Sequence, residues 1–232
     1  MIMVSRAQFD RFERNAELAF LARLGGYLSA RHPAFLPRFA PPVQAQIVAM
    51  MVARARRAGA TWQSTIALFC DLMEAVAPNF HRDPELAATI GSPDPESDPR
   101  IRSLADRVDA RVWAQAERNR SDLDLYVPPE LDHAPVAERI AAALPVILWD
   151  RVPAAAAGRL ATRATELARR LGFESLEDAP LAVAAWRTLY AGAGDSDARR
   201  SWAADIIDLG VPARQRLAAL RLRIMIDHRR RA

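Results

Sequence analysis

The sequence predicts an all-α protein made of two related helical units. Alanine, the strongest helix former, accounts for 47 of the 232 residues, whereas aromatic residues, which favour strands, make up only 7%. The segment RARRAGATW at 54–62 returns as LARRLGFES at 167–175, and PRIRSLADRV at 99–108 returns as PARQRLAALR at 212–221. Both pairs are offset by 113 residues. A shared offset at two separated places indicates an internal duplication.

The elements of the first unit follow from caps, apolar periodicity and prolines. Ser5 and Gln8 predict a capping box that begins the first helix, and His32-Pro33 ends it, because the residue before a proline is pushed out of the helical region. Four prolines exclude a regular helix at 33–42. The periodicity predicts further helices at about 42–58 before a left-handed Gly59, from Thr61 to about 77, in a short turn after Asp83-Pro84, and at about 99–119.

The second unit repeats this order after a break. Residues 121–135 contain three prolines and no helical period, which predicts a linker between a first unit at 1–120 and a second at 136–232. Helices are expected at about 136–151, at 154–171 before Gly172, from 175 or 178 to about 190, at 198–208 and at 212–229. We expect the two units to pack together as a helical bundle or short array.

Composition restricts the class of protein. All 32 basic residues are arginine, the net charge is only +4, and acidic residues are interspersed among the basic ones. This pattern is typical of a mixed solvated surface and argues against a nucleic-acid partner. The longest apolar run, at 141–149, is too short to span a bilayer, and the N-terminus lacks the apolar core of a signal peptide. We therefore expect a cytoplasmic protein with no membrane span.

Side chains that could carry chemistry are few. Cys70, the single cysteine, lies on an apolar helix face and is expected to be a small core residue rather than a nucleophile. His81, Asp83 and Glu85 lie close together in sequence, but without zinc-site spacing, and Asp83 before a proline is more simply a helix cap. No glycine-rich loop follows a strand to bind a nucleotide. The sequence therefore predicts no enzyme, no cofactor and no metal.

Aromatic and arginine side chains outside the predicted core are the candidates for binding a partner, because such residues dominate interface energetics. Phe35 and Phe39 lie in the proline-rich loop, where the two copies differ most, and Trp62 lies near another loop. Arg214 and Arg221 belong to the basic region 199–232, which has nine arginines against three aspartates. For these two arginines the alternative is a solvated helix face.

Two stretches, 54–90 and 199–220, resemble a widespread family of small helical bacterial proteins. Its members share an Arg-rich helix ending in glycine, a turn similar to L-G-P-x-F-x-x-D-P, then W-A-x-x-I-L and P-x-x-R-I-x-x-L elements. Matching residues here are Ala77-Pro78-Asn79-Phe80, Asp83-Pro84, Trp202-Ala203, Ile206-Ile207, Pro212, Arg216 and Leu217. The first copy departs from the W-A-x-x-I-L element and the second lacks the Pro-x-Phe turn. Genes of this family often lie beside type VI secretion spike and effector genes, and the resemblance carries over no catalytic residues.

These observations together predict a non-catalytic adaptor or chaperone-like accessory protein of a bacterial secretion system of type VI, whose partner is an effector or spike component. One alternative is an immunity protein that binds a toxin. Another is a DNA-binding regulator that uses the basic C-terminal helix, which a steep salt dependence of binding would reveal. The sequence leaves open the oligomeric state and the face that binds.

Overall fold

Helices and short 3₁₀ turns are the regular elements of this computed structural model, and its described part contains no strand. The structure describes residues 5–39, 41–148, 154–173, 179–190 and 208–221. The all-α prediction is confirmed. The chain divides into two compact units, Met1–Arg118 and Asn119–Ala232. Nearly all of the predicted helix at 198–208, and the last helix beyond 221, lie outside the described residues.

Unit 1 is built on three longer helices followed by four short ones. Its helices are α1 (Arg6–Arg31), α2 (Pro41–Arg57), α3 (Gln63–Ala75), α4 (Pro84–Ile90), α5 (Ser97–Arg102), α6 (Leu104–Arg107) and α7 (Ala110–Arg118), with 3₁₀ turns at Leu36–Arg38 and Phe80–Arg82. The capping box predicted at Ser5 and Gln8 begins α1, with both hydrogen bonds present. The proline-rich stretch contains a 3₁₀ turn between α1 and α2, but its last two prolines, Pro41 and Pro42, begin α2, where a missing N–H is tolerated.

The core of unit 1 lies around α2, which packs on both α1 and α3. Ile47 and Met51 of α2 and Phe69 of α3 are fully buried, and the α1 side of the core is supplied by Leu24 and Leu28. Their helical spacing of three or four residues is the apolar stripe visible in the sequence. Burial of this stripe is what fixes the three helices against one another.

The N-terminal part of α1 extends beyond this core. Both Nη atoms of Arg56, in the last turn of α2, donate to the carboxylate of Glu17 at 2.9 and 2.7 Å, so α2 ends beside the middle of α1. The three turns before that point, Arg6–Ala16, are exposed at every residue. We call this segment the α1 overhang.

The single helix predicted at 99–119 is wrong, because the chain forms α5, α6 and α7 there. Ser103 donates its hydroxyl to the carbonyl of Arg100 at 3.1 Å, and Val108 is extended, with φ −108° and ψ 127°. Asp109 then accepts from the backbone N–H of Arg111 at 2.8 Å. Short polar side chains that bond to the local backbone compete with the helix at these points.

In unit 2 the described helices are α8 (Val136–Leu148), α9 (Ala154–Arg170) and α10 (Ala179–Tyr190), with 3₁₀ turns at Asp122–Leu125 and Pro129–Leu131 and further helical residues at 213–221. Helix α9 packs on α8 and α10, which also contact each other. Small alanines at 157, 161, 164 and 168 are buried along α9, so the neighbouring helices can approach it closely.

Residues 121–135, for which the sequence predicts a linker, are largely packed inside unit 2. Leu123, Leu125 and Val127 have no exposed surface. Between them, Asp124 accepts a hydrogen bond of 2.6 Å from Nη2 of Arg139 in α8, and these two side chains are 0% and 1% exposed. A proline-rich segment without helical periodicity therefore supplies core residues rather than a tether.

The helices α2 and α9 end on the same type of turn. After α2, Gly59 has φ 91° and the N–H of Ala60 bonds to the carbonyl of Ala55; after α9, Gly172 has φ 70° and the N–H of Phe173 bonds to the carbonyl of Ala168. Glycine is favoured because this left-handed conformation strains any residue with a Cβ atom.

The turn after α9 is held by a single arginine. The guanidinium of Arg216 donates to the carbonyl oxygens of Leu171 at 2.7 Å and Val211 at 2.9 Å, and its Cζ lies 4.7 Å from the centre of the Phe173 ring. The turn after α2 has a different support, which forms the site described next.

Candidate partner-binding site at Trp62

Trp62 is an exposed tryptophan in the N-cap position of α3, directly after the Gly59 turn. Its side chain is 51% exposed. The sequence predicts Thr61 as the cap of this helix, but neither Thr61 nor Trp62 supplies a capping side chain. The backbone just before α3 is held instead by a residue far along the chain.

That residue is Asp98, at the start of α5. Its carboxylate accepts hydrogen bonds from the backbone N–H groups of Thr61 and Trp62, each at 3.1 Å, and from the Thr61 hydroxyl at 2.5 Å. Asp98 is only 4% exposed. Burial opposes its ionisation, but the hydrogen bonds from Thr61 and from the backbone of Trp62 outweigh that effect and lower the pKa of Asp98 below its usual value.

The loop leading to Asp98 is fixed by Arg100. Its guanidinium donates to the carbonyl oxygens of Ile90 and Ser92, both at 2.8 Å, and to a carboxylate oxygen of Asp94 at 2.9 Å. The same hydrogen bond from Arg100 is the main cause of the lowered pKa of Asp94. One side chain therefore orders a proline-rich loop whose residues 91–96 are all exposed.

Arg102 completes the site from the last turn of α5. Its Cζ atom lies 5.8 Å from the centre of the Trp62 ring, within the range of a cation–π contact. We call Trp62, Arg102 and the supporting Asp98 and Arg100 the Trp62 platform. The sequence analysis missed the last three of these residues. The Asp-Pro pair at 98–99 is typical of a helix start and was a visible signal, but nothing in the sequence shows that the Asp98 carboxylate bonds to the backbone before α3.

Of the other predicted partner-binding residues, two lie together in unit 1. Phe35 and Phe39 pack edge to face, with ring centres 5.5 Å apart; Phe35 is 7% exposed and Phe39 is half-buried. In unit 2, Arg214 is exposed, and Nη1 of the half-buried Arg221 lies 3.7 Å from the carboxylate of Asp122. Partner binding by these four residues stays a prediction.

The residues considered as candidates for chemistry take part in helix capping and core packing. Asp83 accepts from the backbone N–H groups of Glu85 and Leu86 at 3.0 and 3.4 Å, which makes it the cap of α4. His81 packs against the ring of Phe80, 5.7 Å away. Cys70 is buried, and burial raises the pKa of its thiol. Across the described ranges, no group of three or more His, Cys, Asp or Glu side chains is placed to hold a metal ion.

Comparisons with known proteins give no relative: no protein-family model matches the chain, and no curated protein or solved structure is significantly similar to it. Within the described part of the chain, none of the helices has both the length and the apolar character needed to cross a bilayer.

The carboxylate of Asp98 makes the platform sensitive to acid. A lowered pKa in the folded state means that Asp98 stabilises the fold above its unfolded value of about 3.9, and that this stability is lost as the pH falls through the folded pKa. We expect Asp98→Asn to lower the free energy of unfolding by about 1–3 kcal/mol at neutral pH, because the amide has no charge and only one acceptor oxygen for the hydrogen bonds from Thr61 and Trp62. The difference from wild type should shrink in acid.

Urea unfolding of both proteins at a series of pH values measures this difference. Asp94 is present in both chains, so its own lowered pKa cancels in the comparison. A gap that is the same at about pH 7 and about pH 2 would show that the Asp98 carboxylate does not stabilise the fold through its charge.

Proposed function

We propose that this protein is a non-catalytic accessory protein that binds another protein through the Trp62 platform. The observation that carries this proposal is a half-exposed tryptophan on a fixed support: the side chain is 51% exposed, while its backbone N–H is bonded to a buried carboxylate. Tryptophan paired with arginine is the composition most enriched at interface hot spots.

The support matters because ordering a surface on binding costs free energy. Arg100 orders the loop at 91–96, and Asp98 bonds to the backbone N–H of Trp62 at the start of α3. The Trp62 side chain is therefore attached to backbone that is already ordered. A binding site that is ordered in advance keeps more of its contact energy as affinity.

The partner class comes from the resemblance in residues 54–90 and 199–220. On that basis we propose an adaptor or chaperone-like role in the bacterial cytoplasm, with a spike or effector protein of a type VI secretion system as the partner. Trp62 lies inside the first of these two stretches, directly after the Gly59 turn that ends its Arg-rich helix.

Substitution of Trp62 by alanine tests the proposal. Affinities of the full chain for the spike and effector proteins encoded beside its gene are measured by calorimetry. We expect one of them to bind, and Trp62→Ala to weaken that binding by about 2 kcal/mol, roughly 30-fold, because a buried anchor is lost.

Leu209→Ala is the matched control, since Leu209 is 70% exposed and lies in unit 2. Its affinity should equal that of wild type, and thermal unfolding of both variants should match wild type. The proposal fails if none of these proteins binds, or if the two variants bind equally well.

We also propose that the two units descend from one duplicated helical motif. Supporting this, α2 and α9 both have 17 residues, begin 113 positions apart, and end in turns with corresponding backbone hydrogen bonds. Pro99 and Pro212 each accept from the backbone N–H four residues later, at 3.1 Å. An experimental structure in which 41–60 and 154–173 do not superpose would contradict this origin.

A further inference from the structure

We propose that the α1 overhangs of two copies of this chain pair antiparallel, about a two-fold axis between Phe9 and Phe12. Among the described residues, six large apolar side chains are exposed, and two of them lie on the overhang. Phe9 is 56% and Phe12 is 66% exposed, although neither lies in a loop.

The exposed face of the overhang continues the face of α1 that is buried in unit 1. Phe9, Phe12 and Ala16 are spaced by three and four residues, and the same spacing leads on to Phe20 and Leu24, which are buried in unit 1. One stripe therefore runs along α1, with its C-terminal part covered within unit 1 and its N-terminal part open. The open part, Arg6–Ala16, is about 16 Å long.

The side chains on either side of this stripe can pair with the corresponding side chains of a second copy. In an antiparallel pair in which Phe9 faces Phe12 of the second copy, Arg6 comes beside Glu13 of the second copy on one flank, and the contact occurs twice by symmetry. Both side chains are exposed, and neither has an ion-pair partner among the described residues. Charge complementarity therefore favours a second copy as the occupant.

The opposite flank is neutral and also complementary. Gln8 comes beside Asn15 of the second copy in the same register. The capping box uses only the side-chain oxygen of Gln8, at 2.9 Å from the backbone nitrogen of Ser5. Its amide N–H groups are available to donate to the Asn15 side-chain oxygen.

The size of the surface sets the strength of the pairing. Three helical turns from each copy bury less than the roughly 1,200 Å² typical of stable complexes. The dimer should therefore be weak, with a Kd roughly in the micromolar range, and should form as the protein is concentrated.

Sedimentation equilibrium of the full chain over a series of concentrations tests the proposal. We expect a monomer–dimer equilibrium, and we expect Phe12→Asp to abolish it by placing a charge in the apolar stripe. Leu18→Asp is the matched control, because Leu18 is 63% exposed on the opposite face of α1, and it should dimerise as wild type does. A monomer at every concentration, or a dimer that survives Phe12→Asp, overturns the proposal.

Charge exchange tests the register. Arg6→Glu and Glu13→Arg should each weaken the homodimer at least about 5-fold, because like charges then face each other twice. A mixture of the two variants should form a heterodimer with wild-type affinity, since every facing pair is again of opposite charge. If Phe12→Asp abolishes dimerisation but this mixture does not pair, the antiparallel arrangement is wrong.

Discussion

Replacing Asp124 by alanine should lower the stability of unit 2 by about 3–5 kcal/mol, because it removes the carboxylate to which the buried guanidinium of Arg139 donates. Asp124 is 0% and Arg139 only 1% exposed, and the two are joined by a hydrogen bond of 2.6 Å. Hydrogen exchange of α8 measures the loss directly, since the amides of the helix that carries Arg139 should exchange through the destabilised state.

Two further variants test whether the buried charge of Arg139 causes this loss of stability. Asp122→Ala removes a carboxylate from the same 3₁₀ turn, but that side chain is 22% exposed and its bond to Arg120 is 3.0 Å, so a loss of at most about 1 kcal/mol is expected. The double variant Asp124→Leu with Arg139→Met removes both charges and should recover most of the stability. A double variant as unstable as Asp124→Ala would contradict this account.

Gly59→Ala should lower the stability of unit 1 by about 3 kcal/mol, through backbone strain together with overpacking. Gly59 has φ 91°, and an added Cβ would clash with the side-chain oxygen of Ser97 and lie 2.6 Å from its Cβ. Ser97 is fully buried at the start of α5, so it has no space to move into. Urea unfolding gives the value.

Two other glycines provide control substitutions for Gly59→Ala. Gly172→Ala has a similar φ of 70°, but its nearest neighbour is the guanidinium end of Arg216 at 3.3 Å, so only the strain of about 1 kcal/mol is expected. Gly26→Ala, in the C-terminal part of α1 where an added Cβ meets no atom within 4 Å, should stabilise by about 0.5–1 kcal/mol. Equal losses at Gly59 and Gly172 would show that Ser97 yields to the new methyl group.

Local signals in the sequence predicted the elements that depend on local physics. The capping box at Ser5, the left-handed turns at Gly59 and Gly172, and the end of α1 before Pro33 all follow from residues within a few positions. The break at Val108 was not predicted, because Val108 fits the apolar period of a continuous helix. What interrupts the helix is the competition from Ser103 and Asp109, whose strength periodicity does not report.

The candidate site depended on long-range contacts and was predicted only in part. Trp62 was identified as a tryptophan near a loop, but its support by Asp98 joins residues 36 apart along the chain. Residues 121–135 show the same limit. Their prolines indicate irregular backbone correctly, yet the burial of Leu123 and Asp124 depends on Arg139 and the rest of unit 2, which a local pattern does not reveal.

The corresponding turns after α2 and α9 are held by side chains of opposite charge. Protonation can weaken only the turn that depends on a carboxylate. The turn at Gly59 relies on the carboxylate of Asp98, whereas the turn at Gly172 relies on the guanidinium of Arg216. Acidification that protonates Asp98 should therefore loosen the backbone that supports Trp62, while the turn at Gly172 keeps its hydrogen bonds. Because the pKa of Asp98 is lowered, this loosening needs a pH below the ordinary carboxyl value, so both turns keep their hydrogen bonds at neutral and mildly acidic pH.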